Sequence, residues 1–272
     1  MGVCRSFPER SFSTIGIFVS RHQTDNGCRE RASHALPLVE LIDHADIPGG
    51  GQLHLMKRGN HYSIQFETEE LMGSQDHLSE KALATMACDR LESTHGTVLV
   101  GGLGMGFTLG AALKAWGVSS KIVVAELVPK IVDWANGPLA HLFGAHLSDP
   151  RLSVRVNDVY DEIRRVEQYY DAILLDVDNG PEGFIKPEND RLYCAWGLRE
   201  AYRALRPSGV LAIWSAFADS EFVKRLKAIG FDVDVHKLPA YAGCDDQWHT
   251  LIFAMRPGRS AEVQPAEAMH QL

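Results

Sequence analysis

Val98-Leu99-Val100-Gly101-Gly102-Leu103-Gly104-Met105-Gly106 is followed by an apolar helical run from Phe107 to Trp116. After Gly117 comes Lys121-Ile122-Val123-Val124-Ala125-Glu126. Together they read as strand, glycine loop, helix and second strand, with an acid at the tip of that second strand. Gly102, Gly104 and Gly106 occupy every second position where the first strand turns into the helix. Glycine there permits positive φ and keeps a Cβ out of a ligand's path. The backbone N–H groups of the helix N-terminus then point at the ligand. Glu126 lies twenty residues beyond Gly106, where an acid meets the ribose hydroxyls of a bound nucleoside. Glycines, flanking strands and a downstream acid in one βαβ unit indicate a nucleoside site more specifically than the glycines alone. The spacing differs from GxGxxG, since Gly104 and Gly106 are only two apart, and this argues against a nicotinamide dehydrogenase.

Toward the N-terminus, Leu53, Leu55, Tyr62, Ile64 and Phe66 alternate with polar residues around Gly59-Asn60, a hairpin signal. Ser74 is expected to cap a helix over 75–91 whose apolar side carries Leu78, Ala82, Met86 and Leu91. Toward the C-terminus, Pro129 suits the first turn of a helix running to about Asn136. Leu152 to Val156 and Tyr170 to Leu175 read as strands, the first followed by Asn157-Asp158 and the second by Asp176. The continuous apolar run of the second suits a parallel strand buried on both faces. Val177 to Asp190 is a long polar segment, expected to order over the site as a functional loop. A helix over Leu192–Leu205, a strand over Val210–Trp214, a helix over Asp219–Ile229 and strands over Phe231–Leu238 and Trp248–Met255 complete the chain.

This alternation predicts an α/β fold, a doubly wound Rossmann-like sheet preceded by a small N-terminal β-hairpin unit. The expected divisions are a flexible tail over 1–35, the β unit over 36–73, a nucleoside-binding catalytic domain over 74–257 and a second tail over 258–272. Ligands of such sheets bind beyond the carboxyl ends of the strands. Gly102–Gly106, Glu126, Asp158, Asp176 and Ser215 all fall at those ends.

The chain has 272 residues, 45% hydrophobic and 23% charged, which is ordinary for a globular protein. Its net charge of −8 argues against nonspecific nucleic-acid binding. The five cysteines form no CxxC pair, which favours a reducing, cytoplasmic setting and argues against a zinc site. No apolar run has the length of a membrane helix. Residues 1–35 carry no secretory signal, and an organelle-targeting segment is the alternative to a tail.

From Leu53 to Met255 the residues resemble the spermidine synthase group of polyamine aminopropyltransferases. These have the fold of class I S-adenosylmethionine-dependent methyltransferases. Tyr170-Asp171-Ala172-Ile173-Leu174-Leu175-Asp176, then Gly180-Pro181, is similar to the family's strand, Asp-x-x-Asp and Gly-Pro. Pro239-Ala240-Tyr241-Ala242-Gly243, with Trp248 after it, is similar to its Pro-Thr-Tyr-Pro segment. The resemblance implies a cofactor loop at Gly102, Gly104, Met105 and Gly106, with Glu126 on the ribose and Asp158 by the adenine. It implies Asp176 as the acid of the catalytic strand-end motif and Tyr241 in the amine pocket. Asp176, with Asp178 or Tyr241, is expected to hold an ammonium and accept its proton. Glu80, Asn179 and Trp248 are the expected acceptor-pocket residues.

Three positions depart from the family. Met105 stands where the family has an aspartate that holds the aminopropyl amine. Asn179 replaces the second acid of Asp-x-x-Asp. Leu78-Ser79-Glu80 keeps only the glutamate of Tyr-His-Glu. The expected activity is alkyl transfer, aminopropyl by resemblance, from S-adenosylmethionine or its decarboxylated form to a small-molecule amine, without a metal. The alternatives are a small-molecule methyltransferase and a catalytically idle nucleoside-binding protein. No nucleic-acid or membrane partner is expected, and a homodimer is left open.

Overall fold

The computed structural model describes residues 38–75, 77–177, 190–217, 219–240 and 247–258. The expectations for residues 1–35, for Asp178, Asn179 and Tyr241, and for most of the 177–190 segment and the C-terminal tail concern residues outside this description.

The N-terminal part is a four-stranded antiparallel sheet rather than a lone hairpin. Its strands β1 (Val39–Asp46), β2 (Gln52–Arg58), β3 (His61–Phe66) and β4 (Glu69–Gly73) lie in the order β1-β2-β3-β4. The expected hairpin is β2–β3, with Leu53 opposite Phe66 and Leu55 opposite Ile64. Leu53, Leu55 and Ile64 are buried on one face, as their alternation requires. The outer strands escaped the sequence reading for different reasons. In β1 a bulge between Leu41 and Asp43 breaks the alternation. β4 has only five residues, of which four pair with β3 across a register shift.

The first helix, α1, spans Leu78–Cys88, and two expectations about it are corrected. Ser74 caps nothing: its hydroxyl accepts the Tyr62 N–H at 3.0 Å, and His77 holds the N-cap position without a side-chain bond. The buried side of the helix is Ser79, Leu83, Ala84, Ala87 and Cys88, while Leu78 is 48% exposed. A buried serine broke the apolar pattern and shifted the inferred face by one residue.

Seven further strands make the central sheet. They are β5 (Thr97–Gly101), β6 (Lys121–Glu126), β7 (Leu152–Val156), β8 (Tyr170–Leu175), β9 (Leu205–Ser215), β10 (Asp232–Pro239) and β11 (Trp248–Met255), in the order β10-β11-β9-β8-β5-β6-β7. The strands from β7 across to β9 pair in parallel, and β11 runs antiparallel between β9 and β10.

Between the strands lie α2 (Phe107–Ala115), α3 (Pro129–Asn136), α4 (Ala140–Phe143), α5 (Val159–Arg164), α6 (Asp190–Tyr193), α7 (Ala195–Ala204) and α8 (Ser220–Ile229). The helix expected over Leu192–Leu205 is interrupted at Cys194, and the short α5 was not anticipated.

Strand residues alternate between two cores. Val98, Val100, Ile122, Val124, Ala172, Leu174, Leu251 and Phe253 pack with α1, α2 and α3. Leu99, Val123, Ile173, Leu175, Ile252 and Ala254 pack with α5, α7 and α8. Both faces are covered, which is why these strands read as unbroken apolar runs. The small sheet joins the first core through Ala45, Ile47, Leu53, Leu55 and Ile64. Asp43 on β1 adds a polar tie to α3, accepting the Trp134 indole N–H at 3.0 Å and lying 3.1 Å from the Lys130 ammonium.

Candidate active site

From β5 the chain winds one way to β6 and β7, then returns to place β8 on the other side of β5. The loops after β5 and β8 therefore diverge, and a crevice opens between them at the switch point. A cavity of about 140 Å³ occupies it. Gly102 and Gly104, Glu126 with Leu127 and Val128, Asp158 with Val159, and Asp176 with Val177 line one side, each group at the end of a different strand. Ile47, Leu53, Ile64, Leu71 and Met72 of the small sheet line the other.

The glycine loop takes the left-handed conformations expected of it, with φ of 86° at Gly102, 47° at Gly104 and 79° at Gly106. Packing also demands glycine. A Cβ on Gly102 would stand 2.5 Å from the Asp176 carbonyl oxygen, and one on Gly104 would stand 2.9 Å from the Met72 sulfur. One on Gly106 would enter the Phe143 ring at 2.3 Å. Gly106 is the N-cap of α2 and does not line the cavity. Met105 is 3% exposed, packed in the core rather than along the cavity wall.

Glu126 is buried at the tip of β6 and holds two loops at once. Its Oε2 accepts the Leu103 N–H at 2.8 Å and its Oε1 accepts the Val128 N–H at 2.8 Å. Burial pushes its carboxyl above the usual range, and the backbone N–H groups of Val128, Leu103, Gly104 and Leu127 pull against that rise. Asp158 caps α5, taking the Tyr160 N–H at 2.8 Å on Oδ1, and its Oδ2 pairs with the Arg191 guanidinium of α6.

Asp176 follows β8 and has a carboxyl pushed up to about 7. Burial is the main cause, the nearby Glu80 charge adds to it, and the Thr108 hydroxyl opposes both by donating to Oδ2 at 2.5 Å. Thr108 sits in the first turn of α2, and its Oγ1 is also 3.3 Å from the Glu80 carbonyl oxygen. Asp176 and Glu80, from opposite ends of the sequence reading, are thus brought together. Trp248 opens β11 at 48% exposure, away from the cavity lining.

Thr108, Met72 and the network around Ser79 were not anticipated as site residues. Ser79 Oγ donates to Glu80 Oε2 at 2.8 Å, receives the Trp214 indole N–H at 2.9 Å, and lies 2.8 Å from His249 Nδ1. The one signal available in sequence was Ser79 standing beside Glu80 where the resembling family has histidine. Among the described residues no three His, Cys, Asp or Glu side chains converge as a metal-binding group. Nor is any helix there long and apolar enough to cross a membrane.

The strand order, the glycine loop after β5 and the antiparallel pair at one edge define a Rossmann-like methyltransferase fold with an added four-stranded sheet. Within that class the fold is spermidine synthase-like. The chain is similar to a crystal structure of a spermidine synthase in complex with the transition state analogue AdoDATO. That match has a TM-score of 0.66 at 18% identity, covering 79% of this chain and 73% of the other. It is also similar to spermidine synthase from Thermotoga maritima, with a TM-score of 0.63 at 16% identity over 79% and 72% of the two chains. No protein-family model and no curated protein matches the chain in sequence.

Proposed function

We propose that the protein transfers an alkyl group, aminopropyl by its resemblance, from a cationic S-adenosyl sulfonium compound to a small amine. The observation that carries this reading is the charge of the cavity. Its ionisable lining residues among those described are Glu126, Asp158 and Asp176, all acids, with no Lys, Arg or His. A dinucleotide or other phosphate ester would meet three acids there and no lining cation, the Arg191 guanidinium being already paired with Asp158. A sulfonium with an ammonium tail meets charges of the opposite sign.

The residues fit such a ligand. Apolar Leu53, Ile64, Val128 and Ile131 offer walls to a purine, Glu126 stands ready for ribose hydroxyls and Asp158 for the base edge. When bound, the sulfonium supplies an already activated carbon. The protein's part is to bring an amine in line with it and remove the amine's proton. Asp176 suits that task. Its carboxyl near 7 is basic enough to take a proton and acidic enough to be ionised in half the molecules at neutrality. Asp178 or Tyr241 is proposed to hold the ammonium with it, and Glu80 and Asn179 to face the acceptor, while Trp248, outside the cavity lining, reaches the acceptor only beyond that cavity.

Methyl transfer is the second reading, favoured by Met105, which brings no carboxylate to the glycine loop for an aminopropyl ammonium. The two are separated by offering both S-adenosylmethionine and its decarboxylated form with putrescine, spermidine and a panel of amines. Methylthioadenosine from the decarboxylated compound is expected. Formation of S-adenosylhomocysteine alone would replace aminopropyl transfer by methyl transfer. Saturable nucleoside binding without either product would leave an idle binding protein.

A further inference from the structure

Ser79 is fully buried, and its hydroxyl has three partners on three different elements. An indole N–H can only donate, so Trp214 occupies one lone pair of Ser79 Oγ. A hydroxyl has one proton and a second lone pair, and these must be divided between Glu80 Oε2 and His249 Nδ1. Only two arrangements satisfy every atom. In one, Ser79 donates to an ionised Glu80 and His249 donates from Nδ1. In the other, a protonated Glu80 donates to Ser79, and Ser79 donates to a bare Nδ1. Starting from the second arrangement with a neutral ring protonated on Nε2, the conversion to the first moves the Glu80 proton to Nδ1 and makes the ring an imidazolium, which then releases its Nε2 proton on the β11 side.

We propose that Ser79 and His249 form a proton route connecting Glu80, beside Asp176, with the β11 side of the protein. This rests on the alkyl-transfer reading for its purpose. In that reaction the new C–N bond forms as the C–S bond breaks, and the C–S electron pair stays on sulfur. The acceptor begins as an ammonium and ends as an alkylated ammonium, so one proton per turnover passes to Asp176 and must leave. The Glu80 carboxyl stands close enough to Asp176 for its charge to raise that acid, and the route begins with proton exchange between these two carboxyls, while the Thr108 hydroxyl, donated to Asp176 Oδ2, orients the first of them.

His249 is half-buried, edge-on to the Trp214 ring at 4.7 Å between centroids. Burial lowers its pKa, so the ring is neutral at pH 7 and free to take up a proton. Among the described residues, charged groups on this side of the sheet include Glu80 and Lys81 from α1, Asp176 after β8, and Arg90 with Asp234 and His236 where the end of α1 meets β10. The last three bond to one another, and Arg90 stacks on Phe253, the residue four beyond His249 on β11.

The test pairs spectroscopy with kinetics on the full chain. Carbon-13 carboxyl and nitrogen-15 imidazole shifts are followed through pH in the protein without substrates. The Glu80 and His249 titrations should each register the other's transition, and Ser79→Ala should uncouple them. Independent titrations in the unaltered protein would overturn the route. His249→Asn, whose amide can still donate to Ser79 but cannot relay, should lower kcat about tenfold with KM unchanged. Added imidazole should restore it, but should not restore Ser79→Ala. An unchanged kcat in His249→Asn, or a loss confined to KM, would overturn the proposal. Coupled titrations in a protein that turns over no amine would instead count against the alkyl-transfer reading.

Discussion

Thr108 Oγ1 lies 2.5 Å from Asp176 Oδ2, so the first turn of α2 and the tip of β8 share one hydrogen bond across the mouth of the glycine loop. The bond favours the ionised carboxyl against burial and against Glu80. Thr108→Val removes it at nearly constant volume. The Asp176 carboxyl should rise further, by about one pH unit for a charge-assisted bond. A carbon-13 titration of the Asp176 carboxyl reads the shift directly. In turnover, a base must be ionised to accept a proton, so kcat/KM should climb with pH through about 7 in the parent and about one unit later in the variant. Superimposable profiles would show that the bond does not tune the acid.

Asp176→Asn should stabilise the empty protein at alkaline pH while abolishing turnover. The folded carboxyl titrates near 7 against an ordinary value of 3.8. Its raised pKa means that the folded state holds a proton the unfolded chain has lost. That contribution is intact below about pH 4 and is lost as pH rises through 7. Asparagine does not ionise. The variant's advantage in chemical denaturation should therefore be near zero at pH 4 and on the order of 2–4 kcal/mol at pH 8. Nucleoside binding should change little, because the proposed work of Asp176 is on the acceptor.

Glu126→Gln should weaken nucleoside binding at least tenfold by calorimetry. It should also lower stability, because the new amide NH₂ faces either the Leu103 or the Val128 N–H in place of an accepting oxygen. Full affinity in the folded variant would remove the ribose role.

Gly106→Ala separates packing from ligand approach. Its φ of 79° disfavours any side chain, and the Phe143 ring fills the space. The variant should lose about 2–4 kcal/mol without any ligand present, and Phe143→Leu in the same chain should recover part of it. A variant as stable as the parent but unable to bind nucleoside would return Gly106 to the ligand.

The sequence was most readable where burial is two-sided. Tyr170–Leu175 and Trp248–Met255 are strands with the expected ends, because each apolar run stops where the sheet stops; Leu152–Val156, a partly exposed edge strand, also has the expected ends. The glycine loop and the acids at the strand tips were readable for a related reason: topology sends those ends to one crevice. What escaped was polar and non-local. Nothing near Ser79 in the sequence marks its burial, because its partners Trp214 and His249 are more than a hundred residues away. Ser74 looked like a helix cap because a Tyr62 N–H twelve residues earlier leaves no mark in the pattern. The glycines were expected to clear space for a ligand, yet Asp176, Met72 and Phe143 take up that space. No local periodicity encodes such neighbours.

The cavity has one wall from each sheet, with Ile47, Leu53, Ile64, Leu71 and Met72 facing Glu126, Asp158 and Asp176. An occupant therefore acts as mortar between two courses that are otherwise joined by their shared core and the Asp43 tie to Trp134 and Lys130. By mass action, anything that binds only the closed arrangement raises the free energy of parting the courses, by about 2.7 kcal/mol at a hundred times its Kd. Amides paired between β2 and β3 should then exchange with deuterium roughly a hundredfold more slowly when nucleoside is present. Affinity and the anchoring of the N-terminal sheet are on this account a single quantity, so a substitution at Asp43, remote from the chemistry, should register as weaker binding.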